Sequence, residues 1–238
     1  MAALSRLLPP AAIRFARYWR GRLLRGGRYA LNGLDEKLAP WLDYRGGFFV
    51  ELGANDGVAQ SNTLYLEQRL GWSGVLIEPL PELYCACRSY RSRGGNRIVN
   101  AACVPPDYAG PTVEIMPAGL MSTPLGLATD HADIADHLAR AQPGRDPAAI
   151  PTVQAPARTL TGILDEARAP TRPDFLSLDV EGAELAVLEG LDFGRYRFRL
   201  ILVECRGIGR LETYLGGKAY RRAARLTHHD YLFEDARP

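Results

Sequence analysis

Residues 48–57 read FFVELGANDG, and the fold turns on this stretch. Phe48-Phe49-Val50-Glu51-Leu52 is a short apolar, β-favouring run closed by Gly53. It lacks the strict alternation of a strand with one face in water. Such a run predicts a strand buried on both sides, as strands of parallel sheets are. Working outward, Gly74-Val75-Leu76-Ile77, Arg97 to Ala102, Phe175-Leu176-Ser177-Leu178 and Leu200-Ile201-Leu202-Val203 repeat the pattern. Helical spacing separates them over Ser61 to Leu70, over Pro81 to Tyr90, which opens on proline, and over Ala183 to Leu191. The alternation predicts a doubly wound, Rossmann-like α/β domain with helices on both faces of the sheet.

The remaining chain is consistent with one such domain. A hydrophobic share of 47% and a charged share of 24% over 238 residues exclude a disordered tail, a collagen or a coiled coil. Charge is divided unevenly. Arg6, Arg14, Arg17, Arg20, Arg22, Arg25 and Arg28 all precede the first acid, Asp35, which leaves 22 basic against 27 acidic residues in the remainder. Residues 1–33 therefore read as a basic arm and residues 34–238 as the main domain. From Ala11 to Leu24 apolar residues and arginines mix at helical spacing. A helix there can lie on an anionic membrane surface or pack its apolar stripe on the body. The Arg-rich start also resembles an organelle transit peptide.

No apolar run reaches the roughly 20 residues of a spanning helix. Leu7 to Ile13, broken by Pro9 and Pro10, makes a poor signal-peptide core, so secretion is not expected. Lys37 and Lys218 are the only lysines; this bias reflects coding composition better than a nucleic-acid surface, and no nucleic-acid partner is expected. Cys85, Cys87, Cys103 and Cys205 form no pair of metal knuckles, so free thiols and a reducing, cytoplasmic setting are expected. Residues 105–156 hold nine prolines and read as an inserted helical and loop segment, with one helix near Thr129 to Ala141, placed to form a lid or wall.

Ligands of open α/β sheets bind beyond the carboxyl ends of the strands. Here those ends carry Glu51 to Gly57, Glu78, Asp179 with Glu181, and Glu204. In ELGANDG, Gly53 permits a tight exit, Gly57 permits close approach of a ligand to the backbone, and Asn55 and Asp56 supply polar groups. A dinucleotide fingerprint would need glycine where Asn55 and Val58 stand. Two acids would repel a pyrophosphate but suit a zwitterionic nucleoside, so S-adenosylmethionine fits better than NAD. Glu78 can accept hydrogen bonds from vicinal ribose hydroxyls, or it can cap the helix near Pro81.

GGFFVELGANDGVAQSNTLYLEQRLGWSGVLIEPLPELY, then FLSLDVEGAELAVLEGLDF and LILVEC, resembles the FkbM-type S-adenosylmethionine-dependent methyltransferases from about Leu34 to Glu234. The resemblance implies a class I methyltransferase sheet of about seven strands and O-methylation of a hydroxyl on a saccharide or glycosylated small molecule. By position it implies a cofactor site of Glu51, Gly53, Asn55, Asp56, Gly57 and Glu78, with Ser61 and Asn62 nearby. It also brings the loop from Asn100 to Ala102, centred on Ala101, near the adenine. The Arg-rich arm and Pro-rich insertion are not hallmarks of the family.

Methyl transfer needs a positioned acceptor oxygen and a group that takes its proton. Asp179 and Glu181 can orient the acceptor or act as base. With Glu204 they can instead hold Mg²⁺, or Glu181 and Gly182 can merely start a helix. His228 or His229, before the strand-like Tyr231-Leu232-Phe233, is a further candidate base. His131 and His137 would need the insertion to fold over the site, and Met121-Ser122-Thr123 can line an acceptor pocket. Two other readings stand beside methyl transfer: a nicotinamide oxidoreductase, and a membrane-associated, non-catalytic nucleoside-binding module.

Overall fold

The computed structural model describes residues 27–118, 121–127 and 150–237, together with Ala12, Ala16 and Trp19. Those three isolated residues are helical. The rest of the expected arm helix, and the helix expected near Thr129 to Ala141 with His131 and His137, lie outside the described residues.

Seven strands form one sheet: β1 (Phe48–Leu52), β2 (Ser73–Ile77), β3 (Arg97–Val99), β8 (Phe175–Leu178), β9 (Leu200–Glu204), β10 (Tyr220–Arg225) and β11 (Asp230–Asp235). Their spatial order is β3-β2-β1-β8-β9-β11-β10. All contacts from β3 to β9 are parallel, whereas β11 runs antiparallel to both its neighbours. The order reverses direction at β1, which pairs with β2 on one side and β8 on the other. That divergence opens the crevice in which open α/β sheets bind ligands.

The uninterrupted apolar runs are explained by two cores. Val50, Leu52, Val75, Ile77, Leu176 and Leu178 face one side, packed with residues of the helices Leu160–Ala167, Glu184–Glu189 and Ile208–Gly217. Phe49, Leu76, Phe175, Leu200 and Leu202 face the other, against Leu34, Leu38, Leu42, Leu66 and Trp72. Alternate residues of each strand thus serve opposite cores, and both sets must be apolar.

Two expectations differ in detail. The third strand ends at Val99 because the Asn100 side chain turns back, donating to the carbonyls of Glu78 and Pro79 at 2.9 and 2.8 Å. Ala102 and Cys103 then form β4 of a second sheet. The insertion, expected as helix and loop, contributes strands to that sheet in its described part: β5 (Thr112–Met116), β6 (Thr123–Leu125) and β7 (Val153–Arg158), in the order β4-β7-β5-β6. Val113 and Ile115 point inward while Thr112 and Glu114 are exposed, a two-residue period that the flanking prolines mask in the sequence.

Candidate functional site

A cavity of about 320 Å³ lies beyond the carboxyl ends of β1, β2 and β8. Glu51, Gly53, Asn55, Ser61, Asn62, Glu78 and Ala101 all line it, as do Asp179 and Glu181. The second sheet supplies a wall through Cys103, Ile115 and Pro124; of the expected Met121-Ser122-Thr123, the first two border the cavity and Thr123 does not.

The cavity is shaped first by glycine. Gly53 has φ +73°, and a Cβ there would stand 1.9 Å from the backbone oxygen of Asp179. The first turn therefore lies directly on the exit of β8, which places both loops on one pocket. Asn55, Gln60 and Glu181 also adopt positive φ (50°, 60° and 52°), and all three line the cavity. Residues held in this region cost free energy, and such strain concentrates at functional sites.

Glu51 and Glu78 are both buried, and their carboxylates are engaged. Glu51 accepts from Ser61 Oγ (3.1 Å), the Asn62 backbone amide (2.9 Å) and Thr63 Oγ1 (2.6 Å). It holds the loop that follows β1. Glu78 accepts from the amides of Asn55 (2.8 Å) and Leu80 (2.9 Å). The capping role the sequence allowed is not formed: Leu80 is the residue that precedes the helix Pro81–Arg91, and no side chain caps that helix's first-turn amides. A carboxylate has about four acceptor positions, so lone pairs remain for a ligand. Burial pushes the Glu78 carboxyl up to about 7 against the pull of the two amides.

Asp56 and Gly57 stand apart from the cavity lining. Asp56 is buried and accepts from the amides of Val58 and Ala59, closing the turn upon itself. Gly57 is needed for a close approach, but to protein rather than ligand: a Cβ there would stand 2.7 Å from Cγ of Arg91.

At the other end, Asp179 opens on the cavity and hydrogen-bonds to Glu204. Burial and the charges of Glu204, Glu181 and Glu184 hold the Asp179 carboxyl well above the usual range. Glu204 is raised by burial and by Asp230, which is itself raised by burial. Glu184 is buried and accepts from the amides of Val180 and Gly182, fixing the turn that carries Glu181. The Mg²⁺ arrangement of Asp179, Glu181 and Glu204 is not formed: Asp179 and Glu204 turn toward each other. Among the described residues no three His, Cys, Asp or Glu side chains could jointly hold a metal ion. His229 is exposed, in the turn before β11, and does not line the cavity; its carbonyl accepts from the Cys205 amide at 2.8 Å. All four cysteines are free thiols.

Residues 51–231 match the family described as Methyltransferase FkbM domain. The chain belongs to the FkbM methyltransferase family. It is thus an S-adenosylmethionine-dependent methyltransferase, and the nicotinamide reading is set aside. Among solved structures, the METTL16 methyltransferase domain superposes with TM-score 0.50 at 10% identity, over 96% of this chain and 81% of that one. The human methyltransferase 10 domain containing protein gives 0.48 at 9%, over 96% and 97%. M. capricolum TrmK, solved with S-adenosyl-homocysteine, gives 0.47 at 7%, over 87% and 68%. These likenesses concern the fold. No curated protein matches the methyltransferase.

In the FkbM methyltransferase one polar atom at this cavity is left without a partner. Asn62 Nδ2 donates to Ser177 Oγ at 3.1 Å, while its buried Oδ1 has no hydrogen-bond partner among the described residues. An acceptor left without a donor suits a cationic or hydroxylic ligand group. Sequence reasoning missed Ser177, hidden as the one polar residue of an apolar strand, and Arg91, which lies 34 residues beyond Gly57. No helix of the described residues is long and apolar enough to cross a membrane.

Proposed function

We propose that the protein transfers a methyl group to a hydroxyl of a saccharide or glycosylated small molecule. The observation that carries this reading is one cavity with Glu78 at one end and Asp179 at the other. Glu78 accepts from the ribose hydroxyls with the lone pairs its two amide donors leave free. Ala101, Leu80 and Leu83 flank the base, and Asn62 Oδ1, with the turn at Gly53 and Asn55, receives the amino-acid end. S-adenosylmethionine supplies, when bound, an electrophilic methyl group on a sulfonium.

Asp179 holds the acceptor hydroxyl and takes its proton as the oxygen gains the methyl group. A carboxyl raised above its ordinary range is a stronger base once ionised, which suits proton transfer from an alcohol. Glu181 orients the acceptor from the adjoining turn. No Lys or Arg among the described residues lines the cavity to offset the charge of a polyanion, which supports a neutral acceptor over a nucleic acid.

Calorimetric titration with S-adenosylmethionine, followed by a screen of neutral glycosides with mass detection of the added methyl group, tests the proposal. The expected outcome is one-to-one binding and methylation at oxygen. Methylation only at nitrogen, or only on RNA, would overturn it.

A further inference from the structure

Arg91 ends the helix Pro81–Arg91, yet its side chain is wholly buried. A buried guanidinium persists only where acceptors meet its N–H groups. Nε donates to the Glu67 carboxylate, Nη1 to the Gly57 carbonyl (2.9 Å) and Ser61 Oγ (3.1 Å), and Nη2 to Thr63 Oγ1 (2.9 Å). Nη1 also lies 3.7 Å from Oε2 of Glu51.

Glu51 grips the same loop through Ser61, Asn62 and Thr63. Residues 57–63 are therefore held between a buried cation and a buried anion. Ala59, Gln60, Ser61 and Asn62 of this loop line the cavity. Gln60 stands at φ +60°, a conformation that needs outside support. The glycine at 57 belongs to the same device, because the Arg91 stem fills the space a Cβ would take.

We propose that Arg91 is a positioning residue for the amino-acid end of the cofactor: it balances Glu51 and pins Gly57, Ser61 and Thr63, and so sets the loop that brings Asn62 to the cavity. The inference rests on the cofactor placement given above. Glu51, engaged by Arg91 and by the loop, is not the partner of the cofactor's ammonium group. That partner is a neutral acceptor, Asn62 Oδ1.

Two probes separate the ends of the pocket. S-adenosylhomocysteine and 5′-methylthioadenosine share the adenosine, but the second lacks the amino acid. Arg91→Lys keeps the charge and loses the planar fork that reaches several acceptors. Calorimetry well below the melting temperature should show S-adenosylhomocysteine weakened about tenfold or more, and methylthioadenosine changed by less than about threefold. A general loss of stability would not produce that split. Equal weakening of both probes, or of neither, would overturn the proposal.

If Arg91→Lys does not fold, the double variant Glu51→Gln/Arg91→Met removes the buried cation and the more buried of its two carboxylate partners, while Glu67 keeps Asn96 as a donor. It should show the same split, and wild-type affinity for both probes would overturn the proposal. Should the wild-type protein bind methylthioadenosine but not S-adenosylhomocysteine, the inference fails while the adenosine placement stands. Binding of neither probe by the wild type would overturn the placement and the inference with it.

Discussion

The two halves of the cavity use the same side-chain chemistry to opposite ends. At β1 and β2, Glu51 and Glu78 are surrounded by donors: hydroxyls and an amide for the first, two amides for the second. At β8, β9 and β11, Asp179, Glu204 and Asp230 are raised by burial, and the first two also by neighbouring acids. Burial raises Glu78 as well, against the pull of its donors; at Asp179 and Glu204 neighbouring acids add to burial instead of opposing it. On the function proposed above, one half binds the cofactor and the other takes the acceptor's proton, and Gly53 is where the two loops touch.

Forcing the two halves apart should cost the protein most. Gly53→Ala would drive a Cβ into the Asp179 carbonyl at a residue with φ +73°. Backbone strain and a clash together predict a destabilisation of about 3 kcal/mol or more, measured by urea unfolding. A loss under about 1 kcal/mol would mean that the two turns are not locked together.

Next in size is a test of the proton-handling half alone. Asp179→Asn should lower kcat by about 10²- to 10⁴-fold, the range for losing a general base, and leave the dissociation constant for S-adenosylhomocysteine unchanged. The variant should also be more stable near neutral pH. An aspartate whose folded pKa is raised loses stability as pH climbs above its unfolded value of 3.8, and Asn removes that cost. Lower stability together with full activity would make Asp179 a structural residue.

Sequence legibility divides along the same line. The strands of the main sheet could be read because burial on both faces leaves an uninterrupted apolar run, as in Phe48–Leu52. The acids at their ends could be read because Glu51, Glu78, Asp179 and Glu204 recur at four strand ends, where ligands of such sheets bind. What those acids bind could not be read, since it depends on contacts distant in the chain: Arg91 reaching Gly57 and Ser61, or Glu204 turning to Asp179 rather than to a shared metal. Asp56 and Gly57 had the right motif spacing but face protein. The second sheet was missed because Pro156 sits inside a strand, paired with Thr112, where proline usually argues against one.

Glu78 sharpens the binding half. The apo carboxyl is pushed up to about 7, and ribose hydroxyls donate best to its ionised form. Affinity for S-adenosylhomocysteine should be full above pH 7 and fall by about tenfold in all as pH drops below it. Stability of the free protein should run the other way, decreasing as pH rises from about 4.5 to about 7. Glu78→Gln should weaken binding by about 1.5 kcal/mol and flatten the pH dependence. A flat wild-type profile would place the ribose elsewhere.

The smallest expected effect belongs to His229, which sequence reasoning set beside Asp179 and Glu181 as a possible base. Its ring is exposed and borders no part of the cavity, while its backbone closes the turn onto Cys205. The neighbouring Asp230, paired in register with Glu204, is the residue that joins the acidic half. His229→Ala keeps the backbone contact and should leave kcat and the acid limb of its pH profile within about twofold of wild type. A loss comparable to that of Asp179→Asn would mean that the acceptor enters over the β10–β11 turn and that its proton departs through an imidazole. The proton-handling half would then extend to the outer edge of the sheet.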